Sequence, residues 1–189
     1  MKRLLFPIVL TLVLVPFVAC AETIEEKAQI CAACHGKKGV PQEQPFAVPI
    51  IWGQQFGYLY FQLCDFKSGV RKNDQMTPIV ESLDRGDLTE LARYFAKQPW
   101  PEPQQPNASH DVAGQTRHAD KAAVCTGCHK QGFVGDGSQP RLAGQSQAYL
   151  EKTMKDFRSG ARGNNPGMTD LMKVPEPDIA ALAEYLAGL

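Results

Sequence analysis

The sequence predicts an all-α protein made of two tandem copies of one small domain. No stretch of the 189 residues alternates apolar and polar side chains as a half-buried strand would. Residues of the first half recur in the second half at a nearly constant spacing. Between the copies, residues 98–107 contain four prolines, which disfavour a helix and favour an extended, semi-rigid spacer.

The repeat is clearest in two motifs of the pattern Cys-x-x-Cys-His, which lie 94 residues apart. Farther along each copy, matching residues lie 91 or 92 apart, and the spacing changes only in segments rich in Gly, Pro and Asn that we interpret as loops. Such a register is typical of a tandem duplication. The matched pairs include Pro49 and Pro140, Gln54 and Gln145, Tyr58 and Tyr149, Arg71 and Arg162, Met76 and Met168, and Asp87 and Asp178.

Each copy is predicted to contain three helices, the first of which runs into the Cys-x-x-Cys-His motif. Asp87 and Asp178 are interpreted as N-caps of the third helices, because aspartate caps well and apolar residues follow at helical spacing. The predicted ranges are about residues 24–35, 54–66 and 87–97 in the first copy and about residues 114–128, 145–157 and 178–187 in the second.

The N-terminal residues 1–21 predict a secretory signal peptide. Basic residues precede an apolar run over residues 4–18, and residues 19–21 match the small-residue cleavage pattern. An uncleaved membrane anchor is the first alternative, but two prolines interrupt the run and it is shorter than the roughly 20 residues that a spanning helix needs. Lipid attachment at Cys20 is the second, although Phe17 stands where leucine is usual.

We therefore divide the chain into the signal peptide (residues 1–21), a first domain (22–98), a Pro-rich linker (99–110) and a second domain (111–189). Without the signal peptide, 18 basic and 20 acidic residues remain, a net charge of −2. Nucleic-acid binding would require a basic excess, so we expect no nucleic-acid partner.

The two motifs indicate covalent attachment of haem. Cysteines three positions apart lie about one helical turn apart on one face, which suits thioether bonds to the two vinyl groups of one haem. The adjacent histidine then supplies one axial ligand of the iron. The expected thioether residues are Cys31 and Cys34 in the first copy and Cys125 and Cys128 in the second, with His35 and His129 as the axial histidines.

Three other uses of these cysteines are less favoured. Thiol–disulfide redox pairs occur on thioredoxin-like folds that contain strands. Zinc sites usually place their two cysteine pairs about 15–20 residues apart, far closer than the two motifs here. Export would remove Cys20 and leave five cysteines, and an odd number argues against a simple disulfide framework.

Methionine is the expected sixth ligand, since a thioether raises the reduction potential of haem iron. Met76 and Met168 occupy matching positions, each a few residues after a Gly-x-Arg in a loop that contains Pro, Asn or Gly. Met172 is the main alternative for the second iron. His110 and His118 have no counterparts in the first copy and are interpreted as surface residues beside the linker.

Two further pairs are candidates for supporting the haems. A carbonyl near Pro49 or Pro140 could accept a hydrogen bond from the axial histidine and so orient its ring. Arg71 and Arg162 could pair with haem propionates as forked donors, although surface positions are an equal alternative.

One helix surface differs between the copies. Tyr60, Phe61 and Cys64 are matched by charged residues in the second copy, Glu151, Lys152 and Lys155. We hypothesise that this surface contacts the other domain or a partner protein, with an ordinary buried cysteine as the alternative for Cys64.

With these residues, the chain resembles the dihaem cytochrome c4 family of class I cytochromes c over nearly its whole mature length. The resemblance is carried by the paired motifs, the Pro-x-x-x-Gly-Gln stretches, the Tyr-Leu helices, the Gly-x-Arg before each methionine and the closing Leu-Ala-x-Tyr helices. It implies two tandem class I cytochrome c domains, two covalently bound haem c groups, and the axial pairs His35 with Met76 and His129 with Met168. One departure is Lys130, which follows the second motif where Gly36 follows the first.

The resemblance implies a periplasmic one-electron carrier rather than an enzyme. Its partners would be redox proteins, either membrane respiratory complexes such as a terminal oxidase or a periplasmic dehydrogenase, and loose membrane association is compatible with this. One alternative is the cytochrome subunit of a larger dehydrogenase or reductase. A dihaem peroxidase-type enzyme is less favoured, because it needs an open iron position that Met76 or Met168 would fill.

Overall fold

A computed structural model describes residues 22–41, 47–102 and 120–189 of the chain. The predicted signal peptide, Cys20, most of the predicted linker, His110 and His118 lie outside the described residues. Within the described ranges the structure is helical without strands, and its one β interaction is an isolated bridge between Asp136 and Gln139. No helix in these ranges has the length and apolar character needed to cross a membrane.

Each half contains two longer helices that follow its motif, with a six-residue helix between them that the sequence did not predict. In the first half the helices are α1 (Ile24–His35), α2 (Phe56–Ser68), α3 (Met76–Glu81) and α4 (Arg85–Ala96). In the second half, a 3₁₀ turn (Ala123–Cys125) leads into α5 (Thr126–His129), followed by a second 3₁₀ turn (Gln131–Phe133), α6 (Gln147–Ser159), α7 (Pro166–Leu171) and α8 (Glu176–Ala187).

Helix α1 begins with a reciprocal cap. The hydroxyl oxygen of Thr23 accepts from the backbone N–H of Glu26, and the Glu26 carboxylate accepts from the N–H of Thr23 at 2.8 Å. Two N–H groups that lack partners in the first turn are thus satisfied. The cap fixes where α1 starts, and therefore which residues reach its last turn.

The residue after each motif histidine has a positive φ. Gly36 ends α1 with φ +88°, and a Cβ there would lie 1.8 Å from the carbonyl oxygen of Val40. Lys130 holds the equivalent position with φ 65° and ψ 166°, in a region that is essentially confined to glycine. The second half therefore carries backbone strain that the first half avoids.

The prediction that Asp87 and Asp178 are N-caps is wrong. Asp84 is the N-cap of helix α4, and its carboxylate accepts from the N–H of Asp87 at 2.8 Å. Asp87 is the third residue of the helix and completes a capping box. Helix α8 follows Pro175, and Asp178 again lies at its third residue. The two aspartates share another role, because Lys27 pairs with Asp87 and a lysine at the matching position pairs with Asp178.

The hydrophobic core of each half forms where its two longer helices pack together. Helix α2 packs on α4, which also contacts α1, and α6 packs on α8. Met154, which the repeat aligns with Leu63, is buried in the second core. The buried apolar residues include Ala28, Leu59, Leu91, Ala92 and Phe95 in the first core and Leu150, Met154, Phe157, Ile179 and Leu182 in the second.

The two halves contact each other closely. A Cβ on Gly57 would lie 2.8 Å from the carbonyl oxygen of Gly137, so the two backbones meet without an intervening side chain. At the start of the spacer, the Arg141 guanidinium lies over the Trp100 ring at 4.6 Å from its centroid. The first residues after α4 are thereby packed against the second half.

Candidate functional site

The last turn of α1 presents the first motif to a cavity. His35 is buried, with 6 % of its surface exposed, and its Nδ1 lies 2.8 Å from the carbonyl oxygen of Pro49. Because a carbonyl only accepts hydrogen bonds, Nδ1 must carry the hydrogen. The lone pair of Nε2 is therefore available to a metal, with the ring orientation fixed from behind.

The second motif repeats this geometry. The Nδ1 of His129 donates to the carbonyl oxygen of Pro140 at 2.9 Å, and the ring is 4 % exposed. Its Nε2 is buried and has no hydrogen-bond partner among the described residues. An unpaired buried nitrogen is costly, so this atom fits an iron ligand better than a structural histidine.

Burial sets the protonation of both histidines. It lowers the pKa of His35 and of His129, and the hydrogen bonds to the proline carbonyls oppose this only in part. Both imidazoles are therefore neutral near pH 7, which is the form that binds a metal.

The cysteines do not behave as a disulfide, zinc or redox set. The five described cysteines, Cys64 among them, are unpaired, and within the described ranges no three His, Cys, Asp or Glu side chains come together as a metal site requires. Burial raises the pKa of the Cys31 thiol to about 11, whereas a reactive redox thiol needs a lowered value. These observations favour thioether attachment over the three alternatives.

Both candidate methionines line the same cavity as the histidines. Met76 is the first residue of α3 and Met168 is the third residue of α7, so they lie in short helices rather than in the predicted loops. The Asn73 side-chain oxygen accepts from the N–H of Met76 at 2.8 Å, and that of Asn165 accepts from the N–H of Met168 at 3.1 Å. An asparagine three residues before each methionine is a signal that the sequence analysis missed.

Met172, the alternative ligand, also lines the cavity but belongs to the hydrophobic core. It is 4 % exposed and packs among buried apolar side chains. At the spacing of 92 residues that relates Met76 to Met168, its counterpart is Val80, which is fully buried. Valine cannot ligate iron, so the shared feature of this pair is packing.

One cavity of about 510 Å³ extends through both halves. Both motif histidines, the two prolines that accept from them and the two candidate methionines line it. Much of the remaining lining is aliphatic or aromatic, as in pockets that hold flat apolar cofactors. The lining of this cavity therefore suits flat apolar cofactors, and it brings the motif histidines and the candidate methionines to one space.

A buried cationic cluster lies where the halves meet. The side-chain oxygen of Gln62 accepts from Arg71 and from Arg162 at 2.8 Å each. Arg71 also donates to the Tyr149 hydroxyl and Arg162 to the Tyr58 hydroxyl, both at 3.3 Å. Arg162 is 5 % exposed, so the surface alternative is wrong for this residue. In the described part of the chain neither arginine forms an ion pair with a carboxylate.

The cluster is strongly electropositive. Burial raises the pKa of Tyr149, but the charges of Arg71 and Arg162 outweigh this and lower the pKa below its usual value. Buried cations without anions are costly. Haem propionates at the edge of the cavity would supply those anions, and both arginines line it.

The described part of the chain is helical without strands, and its two Cys-x-x-Cys-His sites lie on one apolar cavity. These features define a c-type cytochrome, with two covalently bound haem c groups as its cofactors. A family model described as cytochrome c matches residues 112–189. The chain is 34 % identical to cytochrome c4 of Pseudomonas aeruginosa over the full length of both chains. It therefore belongs to the cytochrome c4 family and is an electron-transfer protein.

Two more similarities extend this result. The solved structure of reduced recombinant cytochrome c4 from Pseudomonas stutzeri matches with a TM-score of 0.76 at 31 % identity, covering 88 % of this chain and 96 % of that one. A thiosulfate dehydrogenase electron acceptor of Stutzerimonas stutzeri is 32 % identical over 86 % of this chain and 80 % of its own length.

Proposed function

We propose that the chain carries single electrons between redox partner proteins, with His35 and Met76 as axial ligands in the first half and His129 and Met168 in the second. The observation that carries the assignment is the unpartnered Nε2 of His129, buried on a cavity that a matching methionine also lines. The proposed thioether residues are Cys31, Cys34, Cys125 and Cys128.

A bound haem supplies a one-electron couple, and the protein adjusts its potential. Donation from Nδ1 to the carbonyls of Pro49 and Pro140 keeps the imidazoles oriented. The sulfur atoms of Met76 and Met168 would fill the remaining iron positions and raise the potential. With both positions filled, no site remains for a substrate at iron, so we propose a carrier rather than an enzyme.

The proposed location is the periplasm. It rests on the signal peptide predicted in residues 1–21. The covalent haem attachment that we expect is consistent with an exported chain. The predicted domains, residues 22–98 and 111–189, would both be exported with it.

The electron donor and acceptor are proposed from the similarity to known proteins. A relative named as an electron acceptor of thiosulfate dehydrogenase favours a periplasmic dehydrogenase as electron donor, and a membrane respiratory complex such as a terminal oxidase is the proposed acceptor. The same relative supports the second candidate function, in which this chain is the cytochrome partner of one particular dehydrogenase. Stable co-purification with such an enzyme would favour that second candidate.

The direct test uses protein purified from the periplasm. Its mass should exceed that of the mature polypeptide by two haem groups. The reduced-minus-oxidised spectrum should show c-type bands, and the oxidised protein should show the charge-transfer band of methionine-ligated iron. A mass without two covalent haems would overturn the proposal, and rapid binding of carbon monoxide by the reduced protein at neutral pH would overturn the closed coordination.

A further inference from the structure

Each half of the molecule reaches across the interface to the axial histidine of the other half. The Gln145 side-chain oxygen accepts from the N–H of Ile50 at 2.7 Å, and its amide nitrogen donates to the carbonyl of Ile50 at 2.9 Å. The N–H of Ile50 belongs to the same peptide group as the carbonyl of Pro49, which accepts from His35 at 2.8 Å. A continuous hydrogen-bond chain therefore runs from Gln145 through one peptide group to His35.

The reverse chain has the same geometry. The Gln54 side-chain oxygen accepts from the N–H of Arg141 at 2.7 Å, and its amide nitrogen donates to the carbonyl of Arg141 at 3.0 Å. That N–H shares a peptide group with the carbonyl of Pro140, which accepts from His129 at 2.9 Å. Gln54 and Gln145 are each only 3 % exposed, so water does not compete for these bonds.

Each glutamine makes a third hydrogen bond that holds its side chain in this arrangement. Besides its two bonds across the interface, the oxygen of Gln54 accepts from the N–H of Gln55 at 2.9 Å, and that of Gln145 accepts from the N–H of Ser146 at 2.8 Å. The amide plane is thereby held in one orientation, with its oxygen toward the N–H of the peptide group behind the histidine.

We propose that Gln145 and Gln54 are positioning residues that adjust the reduction potential of the haem in the opposite half. Hydrogen bonds in series polarise one another, so acceptance from the peptide N–H makes the proline carbonyl a stronger acceptor. A stronger acceptor at Nδ1 makes the histidine a more basic ligand. A more basic ligand stabilises ferric iron relative to ferrous iron, so each glutamine lowers the potential of the haem across the interface.

This inference rests on the proposed roles of His35 and His129 as iron ligands. It predicts that a substitution in one half changes the potential of the haem in the other half, which simple destabilisation of the substituted half would not do. Gln145→Met keeps the length of the side chain but removes the amide, and should raise the potential of the first haem. Gln54→Met should raise the potential of the second.

The measurement is a redox titration of the holoprotein followed by proton NMR, with the haem methyl signals assigned to each half. We expect each variant to shift the ferric–ferrous equilibrium of the opposite haem about threefold to tenfold toward the ferrous form. At 59 mV per tenfold change for a one-electron couple, this is about 30–60 mV. The haem in the half that carries the substitution should move less.

Gln55→Ala is the matched control. It removes another hydrogen bond between the halves, from the Gln55 amide nitrogen to the carbonyl of Val134 at 3.0 Å, without touching either proline peptide. It should leave both potentials near those of the unmodified protein. Equal shifts of both haems, shifts confined to the substituted half, or shifts no larger than those of the control would overturn the inference.

A second measurement does not depend on any variant. In the unmodified holoprotein, the amide hydrogens of Ile50 and Arg141 should be among the slowest to exchange with solvent, because each is bonded to a buried side chain. Exchange at the rate of open loop amides would also overturn the inference. If the unmodified protein shows two methionine-ligated haems while the crossed shift is absent, the proposed function stands and only this inference fails.

Discussion

Lys27 and Asp87 form an ion pair at 2.5 Å that joins the first helix of the N-terminal half to the start of its last helix. Lys121 and Asp178 form the corresponding pair in the second half. These contacts explain why aspartate recurs at a position that is the N-cap of neither helix. The repeat in sequence thus reflects a repeated contact between helices rather than a repeated cap.

The first pair predicts a pH dependence. The hydrogen bond from Lys27, followed by that from the Asp84 backbone, lowers the pKa of Asp87 below its usual value. A lowered pKa in the folded state means that the contribution to stability is complete above the unfolded value of about 3.9 and is lost as pH falls through the folded value. Asp87→Asn should therefore destabilise the protein at pH 7 and reduce its loss of stability on acidification.

Urea unfolding from pH 7 down to pH 3 measures this effect. Glu81→Gln is the control and should leave the profile unchanged, because Glu81 is exposed and its carboxylate forms no hydrogen bond or ion pair with the described residues. Parallel profiles for Asp87→Asn and the unmodified protein would show that the ion pair does not contribute.

Substitutions of Met168 and Met172 should have different effects on the haem spectrum and on stability. Met168→Ala should remove the methionine charge-transfer band of one haem and lower one of the two potentials, because the thioether ligand is lost. Met172→Ala should keep both bands but cost about 2–5 kcal/mol of stability, as expected for a methionine deleted from a packed core. Loss of the band in Met172→Ala, with retention in Met168→Ala, would reverse the ligand assignment.

Substitution of the residue that follows each motif histidine should have opposite effects on the stability of the two halves. Gly36→Ala should destabilise the first half by about 1–3 kcal/mol, because φ is +88° and the new Cβ would collide with the carbonyl of Val40. Lys130→Gly should stabilise the second half by about 1 kcal/mol, since it relieves the strained backbone there. The substitution removes only one ion pair, in which the Lys130 ammonium lies 4.0 Å from the Asp136 carboxylate.

Thermal and chemical unfolding of the holoproteins, followed through the haem absorbance, gives both values. A stable Gly36→Ala protein would mean that the turn after α1 can rearrange. A destabilised Lys130→Gly protein would mean that the lysine contributes more than its conformation costs.

The surface around Tyr60 is predicted to bind a partner protein. Tyr60 contacts Phe56, Phe61 and Arg85, all in its own half, so the structure gives it no role between the halves. Phe61 is 53 % exposed and borders the cavity. Replacing Tyr60 with Glu and Phe61 with Lys, the residues of the second half, should slow oxidation of the reduced protein by respiratory membranes about tenfold, as loss of an aromatic anchor does.

Oxidation by ferricyanide serves as the control for this double variant, because a small inorganic oxidant needs no docking surface. That rate should change far less than the rate with membranes. An unchanged rate with membranes would refute the assignment of this surface to a partner.

The longer helices could be predicted from the sequence because their periodicity is local. The predicted ranges 54–66 and 145–157 lie within two residues of α2 and α6. The short helices α3 and α7 could not be predicted, since six residues are too few for a periodic pattern and the first turn of each depends on a hydrogen bond to one asparagine side chain. Aspartate at both Asp84 and Asp87 likewise left the start of α4 ambiguous.

The part of the site that could be predicted consists of the residues that the sequence repeat identifies as matching pairs. The motif histidines and the proline carbonyls behind them could be paired from the repeat and from known haem chemistry. The roles of Gln54, Gln145 and Gln62 could not, because their partners lie about 80 to 100 positions away along the chain or are shared between halves. Only the way in which the halves pack brings those groups together.

The continuous cavity also has an electrostatic consequence. Apolar walls screen charge poorly, so an electron gained in one half raises the energy of adding another in the other half. The two reductions would then be separated in potential even if both irons had identical surroundings, and the molecule would load its electrons with negative cooperativity. Its half-reduced form would then be a distinct and populated state over a range of ambient potentials.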